Sequence, residues 1–183
     1  MSTLSITAVI VALAAVVLVV VPMIRLYIRF RGTRIVTCPE THETVAVEVD
    51  ASQAAFSTLE NLHLQLRQCT RWPEREDCGQ ECLSQIEAAP KDCLLKSIIA
   101  KWYSGKTCAI CGKPIGDIHA FDHKPALLGP DQATLEWSEF RPERVSEVLS
   151  THKAVCWDCH IASTFRRQHP EMVVDRPWRP PKQ

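Results

Sequence analysis

Between Leu4 and Ile24 the chain runs for 21 residues without a charged side chain, most of them Val, Ala, Leu and Ile. As a helix this run would reach roughly 31 Å, enough to cross the hydrocarbon of a bilayer. A cleaved signal peptide wants a basic stretch ahead of the apolar run, a shorter core and a small-residue cleavage site. None of these is present, so residues 1–31 are expected to form a single transmembrane anchor. No Lys or Arg precedes the run, whereas Arg25, Arg29, Arg31 and Arg34 follow it closely. The positive-inside bias then sets the amino terminus outside and the carboxyl-terminal part on the cytoplasmic side of an inner (plasma) membrane, with Tyr27 and Phe30 at the interface.

That topology decides how the nine cysteines are read. In an oxidising compartment they would suggest disulfides, and in a reducing one they read as thiolate metal ligands. An odd number cannot pair completely within one chain. About 150 residues follow the anchor, room for one compact domain or two very small ones and too few for a large catalytic barrel. Lys plus Arg and Asp plus Glu both total 21, so no global field draws the chain to nucleic acid or to an acidic partner.

The strongest chemical signal is a pair of C-x2-C motifs, Cys108-Ala-Ile-Cys111-Gly112 and Cys156-Trp-Asp-Cys159-His160. Each reads as half of a zinc site. A Gly after the second Cys of the first pair lets backbone amides turn toward the sulfurs, and the second pair leads into a helix beginning near Ile161. Two strands and a helix around four sulfurs make a treble-clef (ββα-metal) arrangement, with Cys108, Cys111, Cys156 and Cys159 as ligands.

Over residues of about 106–165, the order Cys108-x2-Cys111, Asp122-His123-Lys-Pro125, Cys156-x2-Cys159-His160 resembles the zinc-containing HNH endonucleases. The resemblance implies a divalent-ion site in which Asp122 and His160 hold the cation and His123 activates water against a phosphodiester, with nucleic acid as substrate. The family's central Asn is absent, since no Asn occurs after Asn61, which leaves an HNH-like scaffold without cleavage as the bland counterpart. Cys156-x-x-Cys159-His160 by itself is also the covalent haem motif. That chemistry needs the opposite topology and leaves Cys108 and Cys111 without a role.

Residues 34–105 read as a small antiparallel sheet with helices. Arg34–Cys38, Thr44–Asp50 and the Leu62, Leu64, Leu66 alternation carry the period of strands, and Asp50-Ala-Ser52 starts a helical turn between two of them. Cys38 and Cys69 then fall at strand ends. Cys78 and Cys82, four apart, would share one helical face if a helix began at Asp77 or Gly79. Cys38, Cys69, Cys78 and Cys82 make a second set of four thiolates, for a second zinc or an iron–sulfur cluster, with Cys93 as an equally available fourth. Cys93 itself lies in the apolar pattern Cys93–Trp102, which fits a core helix ending at Gly105.

Residues 106–169 hold the treble-clef-like module, in which Thr134–Trp137 reads as a strand and Pro142–Leu149 as a helix turning Val145, Val148 and Leu149 to one side. Residues 170–183 are a proline-rich tail with a single Trp178. The expectation is therefore an α+β, membrane-anchored cytoplasmic zinc-binding protein that acts as a scaffold for a protein partner at the membrane. A metal-dependent nuclease and a haem or iron–sulfur electron-transfer protein are the alternatives.

Overall fold

The computed structural model describes residues 3–56, 63–75, 77–116, 118 and 125–172 of the 183-residue chain. It mixes helix and sheet and divides into two compact units, residues 1–98 and 99–183.

The first unit opens with α1 (Thr3–Phe30), in which the segment Ile6–Phe30 is long and apolar enough to cross a membrane. Large apolar side chains from Ile6 to Ile24 lie open along it. Its last turn behaves differently, for Leu26 and Phe30 are buried in the core of the unit that follows. Gly32, at φ +99°, turns the chain sharply from helix to sheet, a conformation that residues with a Cβ seldom adopt.

Strands β1 (Thr33–Thr37), β2 (Thr44–Val49) and β3 (Leu66–Cys69) make an antiparallel sheet in that order, with Thr33 opposite Glu48 and Thr37 opposite Thr44. A register shift between Glu48 and Val49 follows the sheet into α2 (Ala51–Phe56). Val36, Val45, Val47, Val49, Leu66 and Ile86 fill the core. The strands expected at Arg34–Cys38 and Thr44–Asp50 are thus present, and so is the short helix at Ala51; the third strand begins only at Leu66, the last residue of the expected alternation, of which Leu62 lies outside the described residues.

Arg34 is the largest fully buried side chain in this core. Its guanidinium donates to the carbonyl oxygens of Pro90 and Arg29 and lies 3.6 Å from the Cys93 sulfur. The Arg29 carbonyl belongs to the last turn of α1, where helix carbonyls lack partners of their own. Arg34 also lies over the Phe30 ring, 5.8 Å from its centroid. One cation therefore ties the end of α1, the sheet and the Pro90–Cys93 segment together.

Two expectations for this unit shift. The helical turn carrying both Cys78 and Cys82 is not formed. Residues 77–80 are irregular, Gln80 sits at φ +56°, and the helix α3 (Leu83–Ala88) begins only after Cys82, its N-cap. A left-handed residue cannot continue a right-handed helix, so the two thiols approach their neighbours from different backbone settings. The core helix predicted from Cys93 begins two residues later, as α4 (Leu95–Tyr103).

In the second unit, β4 (Ala126–Leu128) lies between β5 (Thr134–Leu135) and β6 (Lys153–Val155), both antiparallel to it. The predicted strand at Thr134–Trp137 is shorter than expected, because Trp137–Glu139 closes into a 3₁₀ turn. The predicted helix near Pro142 is present as a 3₁₀ turn running into α5 (Val145–Thr151), which buries Val145 and Val148. Helix α6 (Trp157–Gln168) follows β6 directly. Tyr103, fully buried, donates to the Ala126 carbonyl at 2.8 Å with the Pro125 carbonyl at 3.1 Å, and accepts from the Trp137 indole at 3.0 Å. This network fixes β4 at the point where it enters the sheet.

Candidate metal centre

The two C-x2-C motifs reach the same place by different local devices. In the first, Thr107 and Pro114 bridge to form a narrow hairpin. The Cys108 N–H donates to the Lys113 carbonyl at 2.8 Å, and the Gly112 N–H donates back to the Cys108 carbonyl at 2.9 Å. Gly112 stands at φ +71°, which closes this turn without a side chain to oppose it. The hairpin is held to the sheet by the Ala109 N–H, which donates to the Ala154 carbonyl on β6 at 2.8 Å.

In the second motif, Cys156 is the extended N-cap of α6, and Cys159 lies in the first helical turn. A helix start favours thiolate over thiol because its unpaired N–H groups carry partial positive charge. The Cys156 backbone N–H donates to the Cys108 sulfur at 3.3 Å, so one motif's amide already serves the other's ligand. Cys108, Leu128 and Val155 form the small core beneath, with Cys156, Cys159 and Ile115 packed against it.

All four sulfurs lie within 4.8 Å of one another, and the Cys111 and Cys156 sulfurs are 3.8 Å apart. Bonds of about 2.3 Å from one zinc ion to four tetrahedral sulfurs require sulfur–sulfur edges of about 3.8 Å. The donor set therefore fits a thiophilic ion. Among the described residues, this is the one group of three or more metal-ligating side chains that converges closely enough to share one.

The proton affinities of Cys108, Cys156 and Cys159 agree with such a cluster. Burial alone would raise the Cys108 thiol, but backbone N–H groups of Cys111, Cys156 and Ile110 bring it down to about 6. Burial pushes Cys156 and Cys159 upward, and neighbouring thiols of the cluster add to this. One thiolate forms readily at Cys108, and Cys156 and Cys159 wait for a cation to displace their protons.

The other predicted ligands lie in the first unit. Cys38, Cys69, Cys78 and Cys82 all wall one cavity of about 80 Å³, together with Glu40, Arg71, Trp72 and Arg75. Arg71 donates to the Cys38 sulfur at 3.0 Å, and Glu40 lies 3.8 Å from Arg71 and 3.4 Å from Arg75. The N–H of Thr41 is the main influence lowering the Cys38 thiol to about 7, with Glu40 and Arg71 adding to it. Cys82 is pushed up to about 11 by burial and by the charges of Cys69, Cys78 and Cys38. Cys93 is elsewhere, donating to the Ala89 carbonyl at 3.3 Å. The Arg71 and Glu40 contributions were absent from the sequence reading; the only hint was a basic residue two positions after Cys69.

His160, proposed as a cation ligand on the HNH resemblance, is buried, with Nε2 3.5 Å from the Glu136 carboxylate. Its Nδ1 has no hydrogen-bond partner among the described residues, and the ring lies against Trp157. Asp122 and His123, the remaining pair of that resemblance, lie outside the described residues, as does Trp178. No family model, curated protein or solved structure matches the chain.

Proposed function

We propose that the chain is a membrane-anchored zinc protein whose second unit is a treble-clef module and whose work is to present a docking surface rather than to catalyse. The convergence of Cys108, Cys111, Cys156 and Cys159 within 4.8 Å carries this reading. Four protein sulfurs complete a tetrahedral zinc shell and leave no open position for substrate, the pattern of a structural site. A hairpin knuckle supplying one pair and a helix start supplying the other is the ligand layout of a treble clef. The same convergence favours zinc over covalent haem, because Cys156 and Cys159 already face two further thiols.

Zinc supplies folding free energy to a unit whose core is small, on the order of 10 kcal/mol for structural sites near neutral pH. The open apolar side chains of α1 support insertion in a bilayer, since so much exposed hydrocarbon is costly in water. Arg25, Arg29 and Arg31 at its carboxyl end support a cytoplasmic domain, where thiolates stay reduced.

The decisive experiment is metal analysis of the full chain in detergent, combined with a reporter fused to the carboxyl terminus. Loss of one zinc equivalent in Cys111→Ser, and a reporter active only in the cytoplasm, are the expected results. Zinc content unchanged in Cys111→Ser sinks the metal reading, and an external reporter sinks the topology.

A further inference from the structure

The turn after β1 is built like the turn that holds Cys108. The Cys38 N–H donates to the Glu43 carbonyl at 2.9 Å, and the His42 N–H donates back to the Cys38 carbonyl at 2.8 Å. In the second unit the corresponding bonds run from Cys108 to Lys113 and from Gly112 to Cys108, at 2.8 and 2.9 Å. The residue four positions after the cysteine has positive φ in both, +59° at His42 and +71° at Gly112. The two sulfurs accept equivalent backbone bonds as well, Cys38 from Glu40 and Thr41, Cys108 from Ile110 and Cys111. A non-glycine residue held at positive φ is uncommon and marks a turn whose shape is demanded.

We propose that Cys38 sits in a second zinc knuckle and that Cys38, Cys69, Cys78 and Cys82, which line one cavity without converging as closely as the other four, draw together on a second zinc ion there. Thr41 stands where the first motif of the other unit has Cys111, so this knuckle supplies one sulfur and the remaining three come from elsewhere. They are at hand on three further segments: Cys69 ends β3, Cys78 lies in the irregular stretch before α3, and Cys82 caps that helix. The Gln80 N–H donates to the Cys78 sulfur at 3.4 Å, the kind of amide support that orients a metal-bound thiolate.

Cys38 from the turn after β1, and Cys69, Cys78 and Cys82 from a stretch of 14 residues that begins at the end of β3, all reach one cavity of about 80 Å³, which is hard to obtain from cysteines that serve only as core filler. Filling a core needs no second sulfur near the first. Four thiolates on one divalent ion leave net negative charge, and Arg71, bonded to Cys38 at 3.0 Å, offsets part of it. Glu40 in turn orients Arg71 and Arg75.

The test is zinc stoichiometry of the full chain in detergent, by elemental analysis and native mass spectrometry. The unaltered chain should carry a second zinc equivalent beyond the one held by Cys108 and its partners. Cys78→Ser, which alters a partly exposed position, should lose one equivalent, and Cys93→Ser should lose none. Should Cys78→Ser fail to accumulate, Cys111→Ser serves instead: its residual zinc should give an X-ray absorption spectrum with four sulfur neighbours. Retention of both equivalents in Cys78→Ser overturns the proposal, as does metal-free Cys111→Ser, or iron with acid-labile sulfide in the first unit. Loss of zinc from Cys111→Ser alone bears on the second unit only, so the two sites fail separately.

Discussion

Cys108 illustrates how a backbone, rather than a charged neighbour, prepares a ligand. Three N–H groups aim at its sulfur and bring its proton affinity down to about 6, against burial that works the other way. An acid whose folded value lies below its unfolded value, here about 8.5, stabilises the fold above that unfolded value and loses the contribution as pH falls through the folded one. Zinc competes with protons for the same sulfurs, so both effects have one sign. Zinc, if it fills the site, should therefore stay bound at neutral pH and be released as acid protonates the sulfurs, which a chromogenic zinc indicator can follow during titration from neutral into the acid range. Release that is independent of pH over that range would count against thiolate ligation.

Tyr103 has the opposite sign. Burial raises its phenol well above the ordinary range, because the phenolate would lose water without gaining a counter-charge. A raised folded value means stability that is complete below the ordinary phenol value of about 10 and lost as pH rises beyond it. Tyr103→Phe should remove this alkaline sensitivity. It should also cost about 1–2 kcal/mol at neutral pH, since the Trp137 indole loses its acceptor and the Ala126 carbonyl its donor. Chemical denaturation at two pH values reads both effects.

Among the secondary structures, those formed by local pattern were legible in advance. The apolar run, the Val45, Val47, Val49 alternation and the Pro142 helix start all dictate their own conformation. Cys78 and Cys82 were misplaced on one helical turn because spacing alone cannot register Gln80 at φ +56°, which stops a helix before Leu83. The knuckle at Cys38 was equally hidden. With Thr41 in the place of a second cysteine it has no C-x2-C signature, and His42 gives no outward sign of positive φ. Arg34 shows in the sequence as the start of a strand and one more charge after the apolar run, and nothing there marks its side chain as buried and bonded to α1 and to the segment before α4. Arg34→Lys keeps the charge but not the planar fork, which leaves carbonyls unpaired and should cost about 2 kcal/mol. Thermal unfolding in detergent measures the loss, and faster proteolysis near Gly32 would locate it.

Over the whole chain, both units keep cysteines in or against their apolar cores. The spacing of the two C-x2-C motifs grouped Cys108, Cys111, Cys156 and Cys159 as they converge, whereas Cys38, Cys69, Cys78 and Cys82 share the lining of a cavity. The sequence said nothing of the arginine and glutamate that attend the latter set, because their relevance arises only when β1 and the turn after β3 come together. The core of the first unit also reaches into the long apolar helix. Leu26 and Phe30, from the last turn of α1, lie in the same core as Val36, Val47 and Ile86. Removing residues 1–31 should therefore destabilise the first unit by on the order of 5 kcal/mol, the scale of deleting two large core side chains. Comparing the full and shortened chains by hydrogen exchange in one detergent would show protection of β1 and β2 falling in the shortened form.

The buried last turn of α1 has a cellular corollary. If α1 is held in a bilayer as proposed, a protease clipping the chain just after it would not liberate an intact module, because the fragment would depart with a hole in its interior where Leu26 and Phe30 had been. Such cleavage would yield an unstable fragment instead of a relocated one.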